Sequence, residues 1–466
     1  MKKTFVALCL VAFFAAAPAM AQVDLSRYVA LGDSATAGFV SGSLMDFYQE
    51  RSFPAVLAEQ AGVSGFELPT VSEPGITPIL ELVHLVPSPV IVPVAPLEGS
   101  GLPTNALLPG SYNNLAVPGS TLFDMLFTTG DIYNLLAGNF DNVMHDLILR
   151  NGINTALEQS IGLQPTFMTV WIGNNDILAA ALTATPIEGV TMTPVESFAM
   201  LYNNAVGALM TNTTADIVLI NVPDVTTFPF TTSVQPWVDI PGVGIVPLMG
   251  TKGPLSPDSL VTLPGGSLIA MGYGLPGGPP LPEDLNFITQ EPGYVLRPDE
   301  VAIIKERTDA FNQIIDDVAA TYGLPVLDMN SAFAAIVAGD GPNFGGVELT
   351  ADFLIGGIFS YDGIHPQHIG QALVAGLLID LINAQYGADI PQVNMAEVLF
   401  EGDWQTPGIS PAAAKKAVMS TEAHEQLLKI LVPEIKRTPT VRRPDVRRPK
   451  RPGTDLRRIP KPDVMP

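Results

Sequence analysis

Tyr28-Val29-Ala30-Leu31-Gly32-Asp33-Ser34 sets the pattern for the chain: a short apolar run that stops at a turn built from Gly, Asp and Ser. Such a run, bounded by turn residues, reads as a strand buried on both faces. The pattern recurs at residues 166–172, which end at Gly173-Asn174-Asn175-Asp176, and again at 216–222 and 324–328. Helical signals lie between these runs. Residues 53–60 follow Ser52, with Pro54 in the first turn and Gly62 past the end. Thr193, Pro194 and Glu196 form a capping-box pattern for a helix running to about Met210. Residues 299–322 carry apolar side chains at 301, 304, 311, 314, 315 and 318, which is helical spacing, and a last helix is expected at 367–386. Strands alternating with helices predict an α/β protein with a mainly parallel sheet in three layers.

Two segments interrupt this alternation. Residues 63–113 hold proline at 69, 74, 78, 87, 89, 93, 96, 103 and 109, so the apolar stretch 83–96 is excluded from a regular helix or central strand. Residues 225–297 form a second insertion rich in Pro and Gly. Without the two, residues 23–390 are the size of one core domain. Residues 391–435 read as a helical appendage with a helix near 412–430, and 436–466 as a tail.

The ends differ sharply from the body. Lys2 and Lys3, an apolar run from Thr4 to Ala17, and Ala19-Met20-Ala21 before Gln22 have the layout of a signal peptide over 1–21, which implies a secreted or periplasmic protein. The only cysteine, Cys9, would leave with it, excluding a disulfide scaffold, a Cys-ligated zinc site and a cysteine nucleophile. No later segment has 18 consecutive apolar residues, so no transmembrane helix is expected. The 466-residue chain has 23 Lys+Arg against 46 Asp+Glu, a net charge of −23. The tail alone has eleven Lys+Arg and three Asp; without it and Lys2 and Lys3, the body has 10 basic and 43 acidic residues. Such a body excludes general nucleic-acid binding, which needs cations for phosphate. The tail, with Arg-Arg-Pro at 442–444 and 447–449, reads as an extended, disordered basic arm. It is either simply solvated or makes electrostatic contact with an anionic lipid or cell-wall surface, or with the acidic body itself.

Four short blocks carry candidate chemistry. Ser34 sits where a strand turns into a helix, so its hydroxyl is presented with its own N–H beside it; alone, Gly-Asp-Ser is also what a capped turn looks like. Asp362-Gly363-Ile364-His365 can supply a base with a carboxylate to hold its tautomer, or simply cap the next helix. In Gly173-Asn174-Asn175-Asp176, a side-chain amide at a strand end can donate to an oxyanion. In Asn114-Leu115-Ala116-Val117-Pro118-Gly119, Gly119 can bring a bare N–H close to a substrate. Gly272-Tyr273-Gly274-Leu275-Pro276-Gly277 matches a dinucleotide pattern, but Pro279 and Pro280 follow where a helix should open. His368 stands three residues after His365 without an acidic or Cys partner to complete a metal set.

Taken together and in order, the four blocks resemble the GDSL, or SGNH, family of serine hydrolases over roughly residues 28–386. The resemblance implies a flavodoxin-like fold and Ser34 as nucleophile, with Asp362 and His365 completing the triad. It also implies an oxyanion hole from the N–H groups of Ser34 and Gly119 and the side chain of Asn175, with no metal or organic cofactor. Ala35 stands where the family name has Leu, at a position outside the chemistry. The apolar character of 83–96 and 228–247 beside an ester-cleaving site suits an acyl pocket or lid, or else simple packing on the sheet edge. A lipase or carboxylesterase acting on acyl esters is therefore expected. The rivals are an O-acetyl esterase of cell-wall or plant polysaccharide and a non-catalytic surface-binding protein.

Overall fold

The computed structural model describes residues 23–83, 88–401 and 410–432. The leader 1–21, part of the 83–96 stretch, and the tail 436–466 lie outside the described residues. Four strands form the central sheet: β1 (Tyr28–Gly32), β2 (Phe167–Trp171), β3 (Asp216–Ile220) and β4 (Val326–Leu327). They pair in that order, and every pairing is parallel. The protein is thus an α/β protein on a parallel central sheet. The outer edge of β1 is also occupied. Ala30 N–H donates to Asn113 O at 2.9 Å, and Leu115 and Val117 donate to Ala30 O and Gly32 O at 3.0 and 3.1 Å. Residues 113–117 therefore run alongside β1 like a fifth strand.

The strands are apolar on both faces because both faces are covered. Val29, Leu31, Met168, Val170, Ile217 and Leu219 belong to one core cluster. Tyr28, Ala30, Phe167, Trp171, Val218 and Ile220 belong to the other, the period-two alternation of a pleated strand. Among the helices, those that build the site and cover the sheet are α1 (Ser34–Ala37), α2 (Phe53–Gln60), α3 (Asn175–Leu182), α4 (Val195–Asn212), α5 (Pro298–Tyr322), α6 (His368–Tyr386) and α7 (Thr421–Leu431). α2 and α6 cover one face; α3, α4 and α5 cover the other. α6 is long and apolar enough to cross a bilayer, but its buried residues, among them Ala375, Leu378, Ile379 and Ile382, pack on the sheet as a core helix does.

Local expectations fail where a side chain has a stronger partner elsewhere. Thr193 does not cap α4, which starts at Val195 after Pro194. Its hydroxyl donates instead to the buried Asp176 carboxylate at 2.7 Å. Ser52 precedes α2 but makes no side-chain cap; its hydroxyl donates back to Gln49 O. The single helix expected near 412–430 is two helices, Pro411–Ala414 and α7, separated by the strand Val418–Met419. That strand pairs in parallel with Val90–Ile91, and Leu80–Val83 pairs on the other side, so Val90–Pro93 is the central strand of a small outer sheet, against the expectation from the prolines of 83–96; its one proline, Pro93, stands at the strand's end. Pairing across the fold overrides local helix propensity here. This C-terminal segment packs into the main core through Met419, Ala423, Leu427 and Ile430.

α4 and α5 meet through Phe198 and Phe311, whose rings stack with centroids 3.9 Å apart. Both rings are wholly buried. Phe311→Ala should lower the unfolding free energy by about 3–5 kcal/mol, read from urea titrations of parent and variant.

Candidate active site

Ser34 and the Gly173 block follow the carboxyl ends of β1 and β2, and the Asp362 block approaches them from the loop before α6. Asp33 caps the single-turn α1, its side chain accepting the Ala35 N–H at 3.1 Å, and Gly38 closes the turn at φ +75°. Ser34 is thereby fixed at the first helical position. Gly32 cannot be replaced without movement, because a Cβ there would overlap Thr36 Oγ1 and lie 2.6 Å from Trp171 O.

The Asp362 block brings two buried groups onto Ser34. His365 Nε2 lies 2.8 Å from Ser34 Oγ, and His365 Nδ1 lies 2.8 Å from Asp362 Oδ2. A carboxylate only accepts, so Nδ1 carries the proton and Nε2 is left to accept from the Ser34 hydroxyl. Asp362 Oδ1 takes three further bonds, from the Ile364 and His365 N–H groups and the Ser360 hydroxyl, and Oδ2 takes one from Gly42 N–H. Burial alone would raise this carboxyl; the electrostatic pull of the adjoining His365 ring and these hydrogen bonds outweigh it and hold Asp362 below the usual carboxylate range. Three side chains that span more than 300 residues of sequence are thus hydrogen-bonded in a line. Such a line can draw a proton from the serine hydroxyl and hold the resulting imidazolium.

The Gly173 block works as a clamp. Asn174 Nδ2 donates to Asp33 Oδ2 at 2.9 Å, Asn175 Nδ2 donates to Ser120 O at 3.0 Å, and Asp176 accepts from Leu122 N–H at 2.9 Å and from Thr193. Three consecutive residues therefore tie the Ser34 turn to the loop that follows Gly119. Gly119 sits two residues past the bond from Val117 to Gly32, just as Ser34 sits two residues past Gly32, and it takes φ +79°. Among the described residues Asn175 Oδ1 is buried without a partner, and the amide is held there through its nitrogen. The roles of Gly32, Asp33 and Asn174 as supports were not among the expectations; the paired Asn174-Asn175 was the available signal.

Burial raises Asp33 to about 6 despite its bonds to Asn174 and Ala35, and raises Asp176 to about 7. A cavity of about 620 Å³ opens on Ser34, Asp33 and His365. Its wall is mainly apolar, with Trp171, Leu178 and Ile364 beside the site. Phe228, Phe333 and Phe359, whose rings contact one another at 5.3–5.7 Å, extend it. Phe228 comes from the start of the 225–297 insertion. Among the described residues no group of three or more His, Cys, Asp or Glu is placed to hold a metal ion, and His368 is buried beside the Phe47 ring.

A family model described as GDSL-like lipase/acylhydrolase matches residues 28–378. No curated protein matches the chain. Among solved structures, the chain is similar to an extracellular lipase from Streptomyces rimosus at 15% identity, covering 76% of this chain and 98% of that one, with a TM-score of 0.31. A phospholipase A1 from Streptomyces albidoflavus NA297 matches at 15% identity over 77% and 98%, with a TM-score of 0.32. A lipase/acylhydrolase from Enterococcus faecalis matches at 13% over 79% and 100%, with a TM-score of 0.30.

The raised value of Asp176 has a consequence for stability. Between its ordinary value of 3.8 and about 7, the folded protein keeps a proton that the unfolded chain releases, so this group makes stability fall as pH rises through that window. Asp176→Asn can still accept from Leu122 N–H and meet the Thr193 hydroxyl. Its unfolding free energy, compared with the parent from pH 4 to 8, should decline less with rising pH; parallel curves would refute the assignment.

Proposed function

The chain belongs to the GDSL-like lipase/acylhydrolase family, and from that premise we propose that it hydrolyses carboxylic acyl esters through an acyl-enzyme on Ser34. The observation that carries this reading is the line Asp362–His365–Ser34, whose histidine and serine line an apolar cavity. His365 takes the Ser34 proton as Oγ attacks the ester carbonyl, and Asp362 holds the imidazole in the required tautomer. The tetrahedral oxygen is received by the N–H groups of Ser34 and Gly119 and the Asn175 amide, which must then turn its Nδ2 from the Ser120 carbonyl or share it. His365 returns the proton to the leaving alcohol. It then activates water against the acyl-enzyme, and Ser34 is regenerated.

The cavity favours an acyl chain over a sugar. Its volume lies within the range of roughly 300–1,000 Å³ usual for small-molecule sites, and aromatic and aliphatic side chains dominate its wall. The same reading takes the sheet as the flavodoxin-like arrangement of this family in three layers, with 63–113 and 225–297 as insertions. It further takes 1–21 as an export signal and the +8 tail as a contact for an anionic envelope surface.

The protein from Gln22 onward should cleave p-nitrophenyl esters with an optimum beyond acetate, and Ser34→Ala should lose about 10⁴-fold or more in kcat. Activity confined to acetyl esters would turn the assignment to a deacetylase, and an unaffected Ser34→Ala would remove the serine mechanism. Deleting 436–466 should leave cleavage of soluble esters unchanged while weakening binding to anionic vesicles at low salt. Unchanged vesicle binding would end the tail proposal.

A further inference from the structure

The Asp362 carboxylate is gripped by a turn that needs support of its own. Ser41 and Gly42 both lie in the left-handed region, at φ +50° and +71°. A serine there is strained, and glycine is the residue least able to hold its own conformation, so the surroundings must fix the turn. On one side the turn serves the triad. Gly42 N–H donates to Asp362 Oδ2 at 3.0 Å, the same oxygen that meets His365 Nδ1. Ser41 N–H donates at 2.9 Å to Ser360 Oγ, whose hydroxyl donates to Asp362 Oδ1.

On the other side the Gly42 carbonyl is held by two donors. One is the Thr77 hydroxyl at 2.7 Å, from the first insertion. The other is Gln426 Nε2 at 3.2 Å, from α7, which also donates to Pro78 O at 2.7 Å. Gln426 is buried. It lies beyond residue 378, where the family match ends. α7 also closes on the other half of the site: its Ile430 carbonyl packs so tightly against Gly119 that no Cβ could be accommodated there. The helix is itself anchored through Val418–Met419 on Val90–Ile91, and Ser267 Oγ donates to Met419 O at 2.6 Å.

We propose that Gln426, on α7, is a positioning residue that holds Asp362, and through it His365, by fixing the Gly42 turn. This rests on the reading of Ser34, His365 and Asp362 as the reacting groups. Gln426 touches no substrate. It acts on the direction of the Gly42 N–H, so its removal should slow the proton transfer and leave ester binding alone.

The test compares Gln426→Leu with Leu428→Ala, a change on the same helix that loses packing without touching Gly42. Both are first matched for thermal unfolding against the parent. On a soluble p-nitrophenyl ester, Gln426→Leu should lower kcat about tenfold or more while KM stays within about twofold, and Leu428→Ala should keep both. A second readout needs no ester. A fluorophosphonate reacts at Ser34, forming the Oγ–P bond, expelling fluoride and passing the serine proton to His365, and its rate should fall in parallel with kcat. If the parent reacts with the fluorophosphonate but cleaves no acyl ester, the ester reading fails while this comparison still decides the role of Gln426. Should the leucine variant not fold, Gln426→Glu keeps the shape but sets a carboxylate against two carbonyl oxygens, and is read in the same way. A folded variant of either kind with kcat and labelling rate within about twofold of the parent overturns the proposal.

Discussion

The pairing of β1 on both of its edges is the constraint on which the site depends. With β2 on one side and residues 113–117 on the other, the register of three chain segments is locked, and all three leave the sheet at the same end. Ser34, Gly119 and the Gly173 block are the first residues past that edge. A one-residue slip in any of the three would send each side chain to the opposite face and into the wrong core, so packing polices the geometry of a polar site. The consecutive bonds of Asn174, Asn175 and Asp176 then fasten the loops together where sheet hydrogen bonds have run out.

Three buried aspartates near one another illustrate how donors decide charge. Asp33, Asp176 and Asp362 are all fully enclosed. Burial opposes ionisation of each, yet only Asp362 ends below its ordinary value. It has five hydrogen bonds, one of them from a basic ring, whereas among the described residues Asp33 is held by Ala35 and Asn174 and Asp176 by Leu122 and Thr193. The charge is placed where an imidazolium must be stabilised, and the carboxylates that serve as clamps are left easier to protonate.

The sheet was legible because strands covered on both faces are written as bare apolar runs. The side chains that meet in the Asp362–His365–Ser34 line were legible as candidates because each lies in a block short enough to quote. What could not be read was any bond whose partner is a distant backbone carbonyl. Gln426 is an ordinary polar residue in an amphipathic helix until Gly42 is placed beside it, and the two are 384 positions apart. Thr193 had the pattern of a cap, but the pattern does not know that a buried carboxylate lies within reach. The strand at Val418–Met419 is two residues long and exists only because Val90 and Ile91 offer an edge.

The distance between Gln426 and Gly42 also bears on the order of events as the chain is made. Ser34 leaves the ribosome early and His365 late, but the brace on the Gly42 turn arrives later still, with the last described helix. Contacts so far apart in sequence form slowly, after the local helices and the sheet. Through most of its synthesis the polypeptide therefore carries a serine and, in time, a histidine and an aspartate whose alignment is not yet secured. The full rate is reached only at the end of assembly, when α7 docks and Gln426 meets the Gly42 carbonyl.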